Sequence, residues 1–229
     1  MVATVPTIAL IADIHANLPA LQAVLADMPK VDRMVCLGDM VGYYPDCNAV
    51  CAHVRALDAV VIRGNHDAYV TGALEPAPER RDAYRTDWTR AALEPSHLAW
   101  LRGLPATARL AFDSITLTLR HANPWDEERY LYPDSPLLDH LWLEAGSILA
   151  VGHTHRPMTS RVGDGLLVNP GSVGQPRDWN PLASYAVLEL PSAEVSIRRV
   201  AYDVPAYQRK LAAQKLPQSS IDILSRTKR

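Results

Sequence analysis

Five short segments of the sequence place aspartate, histidine and asparagine after apolar runs that have the length of strands. They are Asp13-Ile14-His15, Gly38-Asp39, Gly64-Asn65-His66-Asp67, Arg120-His121 and Gly152-His153-Thr154-His155. A single Asp-x-His or Gly-Asp carries little information, but five of the eight histidines fall in these segments. Because the carboxyl ends of strands form the ligand crevice of an open α/β sheet, the pattern predicts one polar site at one rim.

The residue types in these segments favour divalent metal binding. Carboxylate oxygen and imidazole nitrogen are ligands for manganese, iron, nickel and zinc. Residues i and i+2 of a strand point to the same side, so Asp13 with His15 can reach one ion, and His153 with His155 can approach the same region. The Asp39 carboxylate could bridge two ions. Two ions about 3.5–4 Å apart can clamp a phosphate for in-line displacement, with a bridging water of lowered pKa as the nucleophile.

Several polar residues near these segments have an ordinary interpretation beside a functional one. Asn17 could contact a substrate phosphate at a helix N-terminus, or only cap that helix. Tyr43 could stack on a base or pack within its loop. Arg63 and Arg156 could each pair with phosphate or form a surface ion pair. We retain Asn17, Tyr43 and Arg156 as candidate substrate contacts.

The elements that must position these residues alternate between strand and helix in the first third of the chain. This order predicts a parallel sheet covered by helices, with one helix after Asn17 and another beginning near Cys47. A helical excursion is predicted at about 68–104, with Tyr84 and Trp88 on one face, and surface helices from about 205. The predicted strands span residues 7–12, 33–37, 59–62, 106–112, 115–120, 148–151, 166–168, 184–190 and 195–200.

Length and composition restrict the class of protein. A chain of 229 residues without a repeat or linker predicts one domain over residues 1–229. Cys47 and Cys51 share helical spacing with neighbouring valines, which favours core packing over half of a zinc site. The net charge of −2 gives no electrostatic reason to expect nucleic-acid or membrane binding. With no signal-peptide pattern and no apolar run near ~20 residues, we expect a cytoplasmic protein. A homo-oligomer is compatible with the sequence.

The five segments resemble the motifs of the calcineurin-like metallophosphoesterases. All five family blocks are present, in family order, between residues 13 and 155. Segments 17–21, 98–105 and 168–174 are most similar to the small bacterial and archaeal branch of single-domain phosphodiesterases. The sequence departs from the family pattern at Ala16 and Ala122, where glycine is usual. A methyl group at such turns disfavours positive φ or crowds an approaching phosphate.

The resemblance implies a fold and a role for each motif residue. The implied fold is a four-layer α/β/β/α sandwich of two facing mixed sheets with helices outside. His66 would bind no metal but would donate a proton to the leaving group or stabilise the transition state. Asp67 would orient His66 or its loop. One metal would take Asp13, His15, Asp39 and His155, and the other would take Asp39, Asn65, His121 and His153.

The expected activity is two-metal hydrolysis of small phosphate esters, with phosphodiesters preferred to phosphomonoesters. Manganese is the expected ion, with iron, nickel or zinc as alternatives, and the substrate could be a nucleotide. Two other interpretations remain open. One is a dinucleoside polyphosphatase or protein phosphatase on the same site, and the other is a non-catalytic metal-binding scaffold. The presence of His66 beside every expected ligand favours the enzyme, because a scaffold has no need for a proton donor.

Overall fold

Two mixed five-stranded sheets face each other in the computed structural model, which describes residues 6–227. The ten strands are Thr7–Ile11 (β1), Arg33–Cys36 (β2), Ala59–Val61 (β3), Thr107–Phe112 (β4), Ile115–Arg120 (β5), Ser147–Ala150 (β6), Pro157–Val162 (β7), Gly165–Pro170 (β8), Ala183–Glu189 (β9) and Glu194–Val200 (β10).

Each sheet contains three neighbouring parallel strands, which reach one edge of the first sheet and lie at the centre of the second. The first sheet has the order β10-β9-β1-β2-β3, in which β1, β2 and β3 are parallel and β9 pairs antiparallel with β1. The second has the order β4-β5-β6-β8-β7, in which β5, β6 and β8 are parallel. The carboxyl ends of the parallel strands therefore form the rim that the sequence predicts for the polar site.

The helices follow the strands as the alternation predicts, and short helices fill the middle of the chain. Asn17 caps the first helix, since its side chain accepts a hydrogen bond from the Ala20 N–H. The α-helices are Leu18–Asp27 (α1), Cys47–Ala56 (α2), Asn65–Thr71 (α3), Arg81–Tyr84 (α4), Thr86–Ala92 (α5), Pro95–Arg102 (α6), Val204–Ala213 (α7) and Gln218–Asp222 (α8). Short 3-10 helices span Pro78–Arg80, Pro136–His140 and Ile223–Ser225.

Three apolar clusters hold the layers together and confirm the predicted four-layer α/β fold. Leu10 and Val35 of the first sheet pack with Leu117 of the second between the two sheets. Another cluster joins the outer face of the first sheet to α1, α2, α7 and α8, and it includes Cys47 and Cys51 as predicted. The third lies outside the second sheet, where the Pro136–His140 turn and the loop around it form a thinner fourth layer.

The structure corrects two details of the sequence analysis. Strand β7 was missed because its residues, Pro-Met-Thr-Ser-Arg-Val, include few apolar side chains. The shared face of Tyr84 and Trp88 is wrong, because Arg85 takes a left-handed φ of 55° and breaks the helix between them. Trp88 is 41% exposed, and α5 instead buries Thr86 and Thr89.

Two other expectations concern the chain as a whole. No helix within residues 6–227 combines the length and apolar character needed to cross a bilayer. The single domain over residues 1–229 stays a prediction. Within the described part of the chain, however, both sheets contribute to one apolar cluster, and the helical excursion packs α3 against α5 and α6.

The packing of α7 generates a test of the outer layer. Leu211 is fully buried in the cluster beneath α7, so Leu211→Ala should lower the free energy of unfolding by about 2–5 kcal/mol. Arg209→Ala, at an exposed position of the same helix, should change it by less than about 0.5 kcal/mol. Urea unfolding measures both. A loss below about 1 kcal/mol for Leu211→Ala would show that α7 is not part of the cooperative core.

Candidate metal centre

The predicted ligands lie after the strands rather than in the strands themselves: Asn65 is the first residue of α3, and the other six lie in loops. Strand β1 ends at Ile11 and β6 ends at Ala150, so the i, i+2 geometry of a strand does not apply. Left-handed backbone turns direct the side chains instead, with φ of 54° at Asp13, 49° at His15 and 55° at Asp39. His153 and His155 take φ of 66° and 57°. Such conformations are costly for residues other than glycine and cluster at functional sites.

The two alanines that replace family glycines differ in conformation. Ala16 has a φ of 55° and is fully buried, so its methyl group does not exclude positive φ as the sequence suggested. The turn is held by a hydrogen bond from the Ala16 N–H to the Met40 carbonyl at 2.8 Å. Ala122 is buried as well and does not lie in the left-handed region. Both positions therefore accommodate a methyl group.

Each of the four histidines predicted to bind metal has one ring nitrogen held by a main-chain carbonyl. The contacts are His15 Nδ1 with Val41 at 3.2 Å, His121 Nδ1 with Leu37 at 2.7 Å, His155 Nδ1 with Gln175 at 2.6 Å, and His153 Nε2 with Glu128 at 2.8 Å. A carbonyl can only accept, so the bonded nitrogen of a neutral ring carries the hydrogen. The opposite nitrogen then presents a lone pair, as metal-binding histidines require.

The free nitrogens and the carboxylate oxygens converge in three overlapping groups, and the ligand atoms of each group lie within 4.8 Å of one another. The two groups that contain only predicted ligands are Asp13, His15 and His155, and Asp39, His121 and His153. The third joins His15 and Asp39 with His66. His15 Nε2 lies 3.0 Å from His155 Nε2. Two lone pairs at that distance repel each other unless a cation or a proton lies between them.

Asp39 occupies the position between the two groups. Its Oδ2 lies 3.7 Å from His15 Nε2 and 3.2 Å from His121 Nε2. Its Oδ1 accepts a hydrogen bond from the His66 main-chain N–H at 2.8 Å. A side chain at position 64 would place Cβ 2.1 Å from Asp39 Oδ1, which explains the glycine there.

One buried polar atom of the site, Asn65 Oδ1, has no partner among residues 6–227. His121 Nε2 makes no well-aligned hydrogen bond and has only the Asp39 carboxylate, at 3.2 Å, as an ionic partner. Buried polar atoms are rarely left without a hydrogen bond or a ligand, so Asn65 Oδ1 fits a site that completes its contacts with a cation. The donor set of carboxylate oxygens, an amide oxygen and imidazole nitrogens therefore suits divalent metal ions.

Burial and the carboxylates set the protonation states of the cluster. Burial lowers the pKa of His15 and His155 well below the ordinary value, and that of His153 to about 3. Burial opposes charge on His121 too, but the Asp39 carboxylate outweighs it and raises the pKa of His121 to about 10. Burial raises the pKa of Asp13 to about 7. The protein alone therefore keeps a proton on His121 at neutral pH.

His66 lies beside the two groups with a ring that makes no hydrogen bond to any described residue. The rings of His15 and Tyr43 lie 4.8 Å from it, and that of Tyr84 lies 4.4 Å from it. A Cβ at Gly42, whose φ is 91°, would lie 2.7 Å from His66 Nδ1, so glycine makes room for the ring. Burial lowers the pKa of His66 to about 4, which keeps the ring neutral at pH 7.

Asp67 organises loops rather than the His66 ring. Its carboxylate accepts hydrogen bonds from the main-chain N–H groups of Asp39, Met40 and Val41, at 2.8, 3.0 and 3.3 Å, and of Gly64 at 2.9 Å. No bond joins it to the His66 side chain in the described part of the chain. Of the two roles suggested by the sequence, the structure therefore favours positioning of the loop.

The three candidate substrate contacts have different surroundings. Asn17 donates to the Gly174 carbonyl at 2.8 Å and to Tyr202 Oη at 3.0 Å, so its amide is fully engaged and capping is favoured over substrate contact. Tyr43 lies against the His15 and His66 rings. Arg156 donates to a main-chain carbonyl at 3.2 Å and its guanidinium lies over a tyrosine ring, which favours a structural role.

Arg63 forms an ion pair at its predicted position. Its Nη2 lies 3.2 Å from Glu127 Oε2, so the surface ion-pair interpretation is favoured over phosphate binding.

Two residues next to the site were not predicted from the sequence. Tyr84 packs on His66 from the helical excursion, and no sequence pattern points to it. Arg177 lies in the loop after β8, and its main-chain N–H donates to the His155 carbonyl at 3.2 Å. It lies seven residues beyond the end of β8, too far for the rule that selected the other strand ends to find it.

Comparison with known proteins agrees with the fold. The calcineurin-like phosphoesterase superfamily domain matches residues 7–193. An uncharacterized protein of Methanocaldococcus jannaschii is 34% identical over 232 residues, covering 92% of this chain and 94% of its own. The crystal structure of a metallophosphoesterase from Sphaerobacter thermophilus aligns with a TM-score of 0.78 and 32% identity, covering 98% of this chain and all of that one. Phosphodiesterase YfcE of Escherichia coli is 28% identical over 77% of this chain and 84% of its own.

These matches identify the class of protein. The chain belongs to the calcineurin-like phosphoesterase superfamily.

Loss of the Asp67 carboxylate should loosen the loops that carry the predicted ligands. Asp67→Ala leaves four N–H groups without their buried acceptor, so we expect a loss of unfolding free energy on the order of 3–5 kcal/mol. Asp67→Asn keeps one acceptor oxygen and should lose less. Asp58→Ala, at an exposed position, serves as the control in urea unfolding. An Asp67→Ala protein as stable as the control would contradict the organising role.

Metal binding should release a proton from His121. A pKa of about 10 means that the free protein holds this proton at pH 7, and a ligand must be neutral. Affinity for Mn²⁺ should therefore rise about tenfold per pH unit between pH 7 and 9. Below pH 7, protonation of Asp13 should weaken binding further, whereas the lowered pKa values of His15, His153 and His155 keep those rings neutral at pH 6.

Calorimetry in buffers of different ionisation enthalpy measures the released proton directly. His140→Ala, which removes an exposed histidine, should release as many protons as the unaltered protein. An affinity for Mn²⁺ that does not change from pH 7 to pH 9 would show that His121 is not a protonated ligand.

Proposed function

We propose that this protein is a two-metal phosphoesterase that hydrolyses phosphodiesters. The observation that supports this most strongly is the pair of imidazole nitrogens, His15 Nε2 and His155 Nε2, which face each other at 3.0 Å with their opposite nitrogens bonded to carbonyls. That arrangement is unfavourable without a cation. The same logic applies to Asn65 Oδ1, which is buried without a partner within residues 6–227.

The proposed ligand sets follow the two groups in the structure, with Asp39 shared. One ion is held by Asp13, His15, Asp39 and His155, and the other by Asp39, Asn65, His121 and His153. When bound, such ions supply positive charge for a phosphate and lower the pKa of water. Manganese suits the mixture of oxygen and nitrogen donors, and iron, nickel and zinc suit it as well.

His66 is the proposed catalytic residue because its ring is free to contact a substrate. The ring is neutral at pH 7, so it donates a hydrogen bond from N–H to the leaving-group oxygen as negative charge develops there. It acts as a full proton donor only when a bound phosphate has raised its pKa. Asp67 supports this role indirectly, through the loop that carries Asp39.

The preference for phosphodiesters has more limited support. The Escherichia coli relative is named a phosphodiesterase, and it matches 77% of this chain. A phosphomonoesterase or a dinucleoside polyphosphatase would use the same metal centre and the same His66. The scaffold interpretation is disfavoured because His66 is presented with an unbonded ring beside every predicted ligand. Cytoplasmic location and a homo-oligomer remain predictions.

The test compares hydrolysis of bis(p-nitrophenyl) phosphate and p-nitrophenyl phosphate, each with manganese and with a chelator. We expect manganese-dependent release of nitrophenol, faster from the diester. Faster release from the monoester would make the protein a phosphomonoesterase. No release from either ester, in protein shown to contain two metal ions, would contradict the proposed activity on simple esters.

Removal of the His66 ring should separate metal binding from catalysis. We expect His66→Ala to keep two manganese ions, measured by elemental analysis, while kcat falls about 10²–10⁴-fold. His66→Gln restores an N–H donor but no titratable group, so partial recovery would indicate hydrogen-bond stabilisation rather than proton transfer. His97→Ala, which removes a histidine bonded to Asn48 away from the site, is the control. Loss of metal together with activity would make His66 a ligand.

A further inference from the structure

A cavity of about 370 Å³ opens beside the proposed metal centre, and none of the proposed metal ligands lines it. We call it the arginine cavity. A phosphate that reacts must lie at the metal ligands, so a group in this cavity is a different part of the substrate. The residues that define the cavity are Tyr43, Arg80, Tyr84, Tyr130, Gln175 and Arg177.

The arginine cavity is continuous with the site through shared walls. Tyr43 lines the cavity, and its ring lies 4.8 Å from the rings of His15 and His66. Tyr130 also lines it and stacks on His153 at 4.3 Å between ring centroids. Arg177 is joined to His155 through the main chain. A substrate bound at the metal ligands can therefore extend directly into this space.

Arg177 is the principal cation of the cavity, and part of its guanidinium is available. Nε and Nη2 donate to Gln175 Oε1 at 3.2 and 2.7 Å, and Nη2 also donates to Tyr43 Oη at 3.0 Å. Nη1 makes no hydrogen bond to a described residue, and no carboxylate within residues 6–227 forms a salt bridge with Arg177. A partly buried guanidinium with neutral partners and free N–H groups is suited to bind an oxyanion.

The rest of the lining favours an anion joined to a planar ring. Arg80 adds a second positive charge, and no carboxylate lines the cavity. Tyr43, Tyr84 and Tyr130 supply aromatic surface on which a ring can stack. Tyrosine rings together with arginines are a combination that binds nucleotides, since the rings contact the base and the guanidinium contacts phosphate.

The C-terminal segment holds Arg177 in this position. Ser220 of α8 accepts a hydrogen bond from Tyr44 Oη at 3.0 Å, and Tyr44 Oη accepts one from Gln175 Nε2 at 3.0 Å. Gln175 in turn accepts two bonds from Arg177. Ser219 and Ser220 also line the cavity. The guanidinium is thereby fixed before any substrate binds.

We propose that the arginine cavity binds a second phosphate of the substrate and the ring attached to it, so that the substrate is a nucleotide in which the reacting phosphodiester is joined to a second phosphate. This inference rests on the proposed function. In the reaction, water oxygen bonds to the phosphorus at the metal ligands and the bond from that phosphorus to the leaving-group oxygen breaks. One proton of the water goes to the leaving oxygen or to solvent. Arg177 binds the phosphate that does not react.

Calorimetry with manganese-loaded protein tests this without requiring turnover. The probes are ADP, used as its non-hydrolysable α,β-methylene analogue, which can reach both the metal ligands and the cavity, and inorganic phosphate, which can reach only the metal ligands. We expect Arg177→Ala to weaken ADP binding about 10–100-fold and to change phosphate binding less than about threefold. Chelation of manganese by ADP is the same for every variant, so it cancels in the comparison.

Two further variants make the comparison specific. Arg177→Lys keeps the charge without the planar fork and should recover part of the ADP affinity; it also replaces Arg177→Ala if that variant does not fold. Arg109→Ala removes an exposed arginine from β4 and should leave both affinities unchanged.

Each result has a definite meaning. Equal weakening of ADP and phosphate would place Arg177 on the reacting phosphate and overturn the inference, and so would unchanged binding of both. Selective loss of ADP affinity in protein that hydrolyses no phosphate ester would support the cavity while contradicting the proposed activity. The two proposals therefore fail separately.

Discussion

Four buried imidazole rings depend on main-chain carbonyls for their orientation, and those carbonyls belong to other loops of the same site. The Val41 carbonyl that holds His15 follows Asp39 in the loop after β2, and the Leu37 carbonyl that holds His121 precedes it. No single loop can therefore form its part of the site alone. The lone pairs converge only when the loops from both sheets are in place, which explains the tight connection of these loops through Asp67 and through left-handed turns.

The same constraint explains the unusual charge state of the centre. Burying histidines and carboxylates together costs free energy unless the charges balance. The protein balances part of this charge by keeping a proton between His121 and Asp39. The remaining nitrogens stay neutral and oriented. A centre organised in this way is preorganised for a dication, because folding has already desolvated and oriented the side chains that would bind it.

The sequence predicted the fold, and the structure brings the predicted site residues together, but the sequence did not predict the way in which the chain presents them. The positions of the strand ends identified the rim of the sheet where Asp13, His15, His153 and His155 lie. They could be predicted because the apolar pattern of a strand and the polar residues after it are local features of the sequence. The left-handed turns were not predictable, since nothing local requires φ of 49° at His15. The orientation of each ring depends on a carbonyl far away in sequence, as for His15 and Val41.

The other features that the sequence did not predict also depend on contacts between residues distant in sequence. Strand β7 is held by pairing with β8 rather than by its own apolar pattern. At the helix break, the Tyr84 carbonyl accepts a hydrogen bond at 3.0 Å from the Tyr43 N–H, which is distant in sequence. Arg177 was missed because a lone arginine after a turn has no pattern. Its role emerges only when Gln175, Tyr43 and Tyr44 are seen together.

The C-terminal helices give the cavity part of its wall, although the superfamily match ends at residue 193. Ser219, Ser220 and Ile223 of the cavity wall thus lie outside the stretch of chain that carries the five metal motifs. In evolutionary terms, substitutions around Ser219 and Ser220 can change which molecules are accepted while the reaction centre stays intact. Proteins with identical metal motifs can then differ in substrate specificity while they share one reaction.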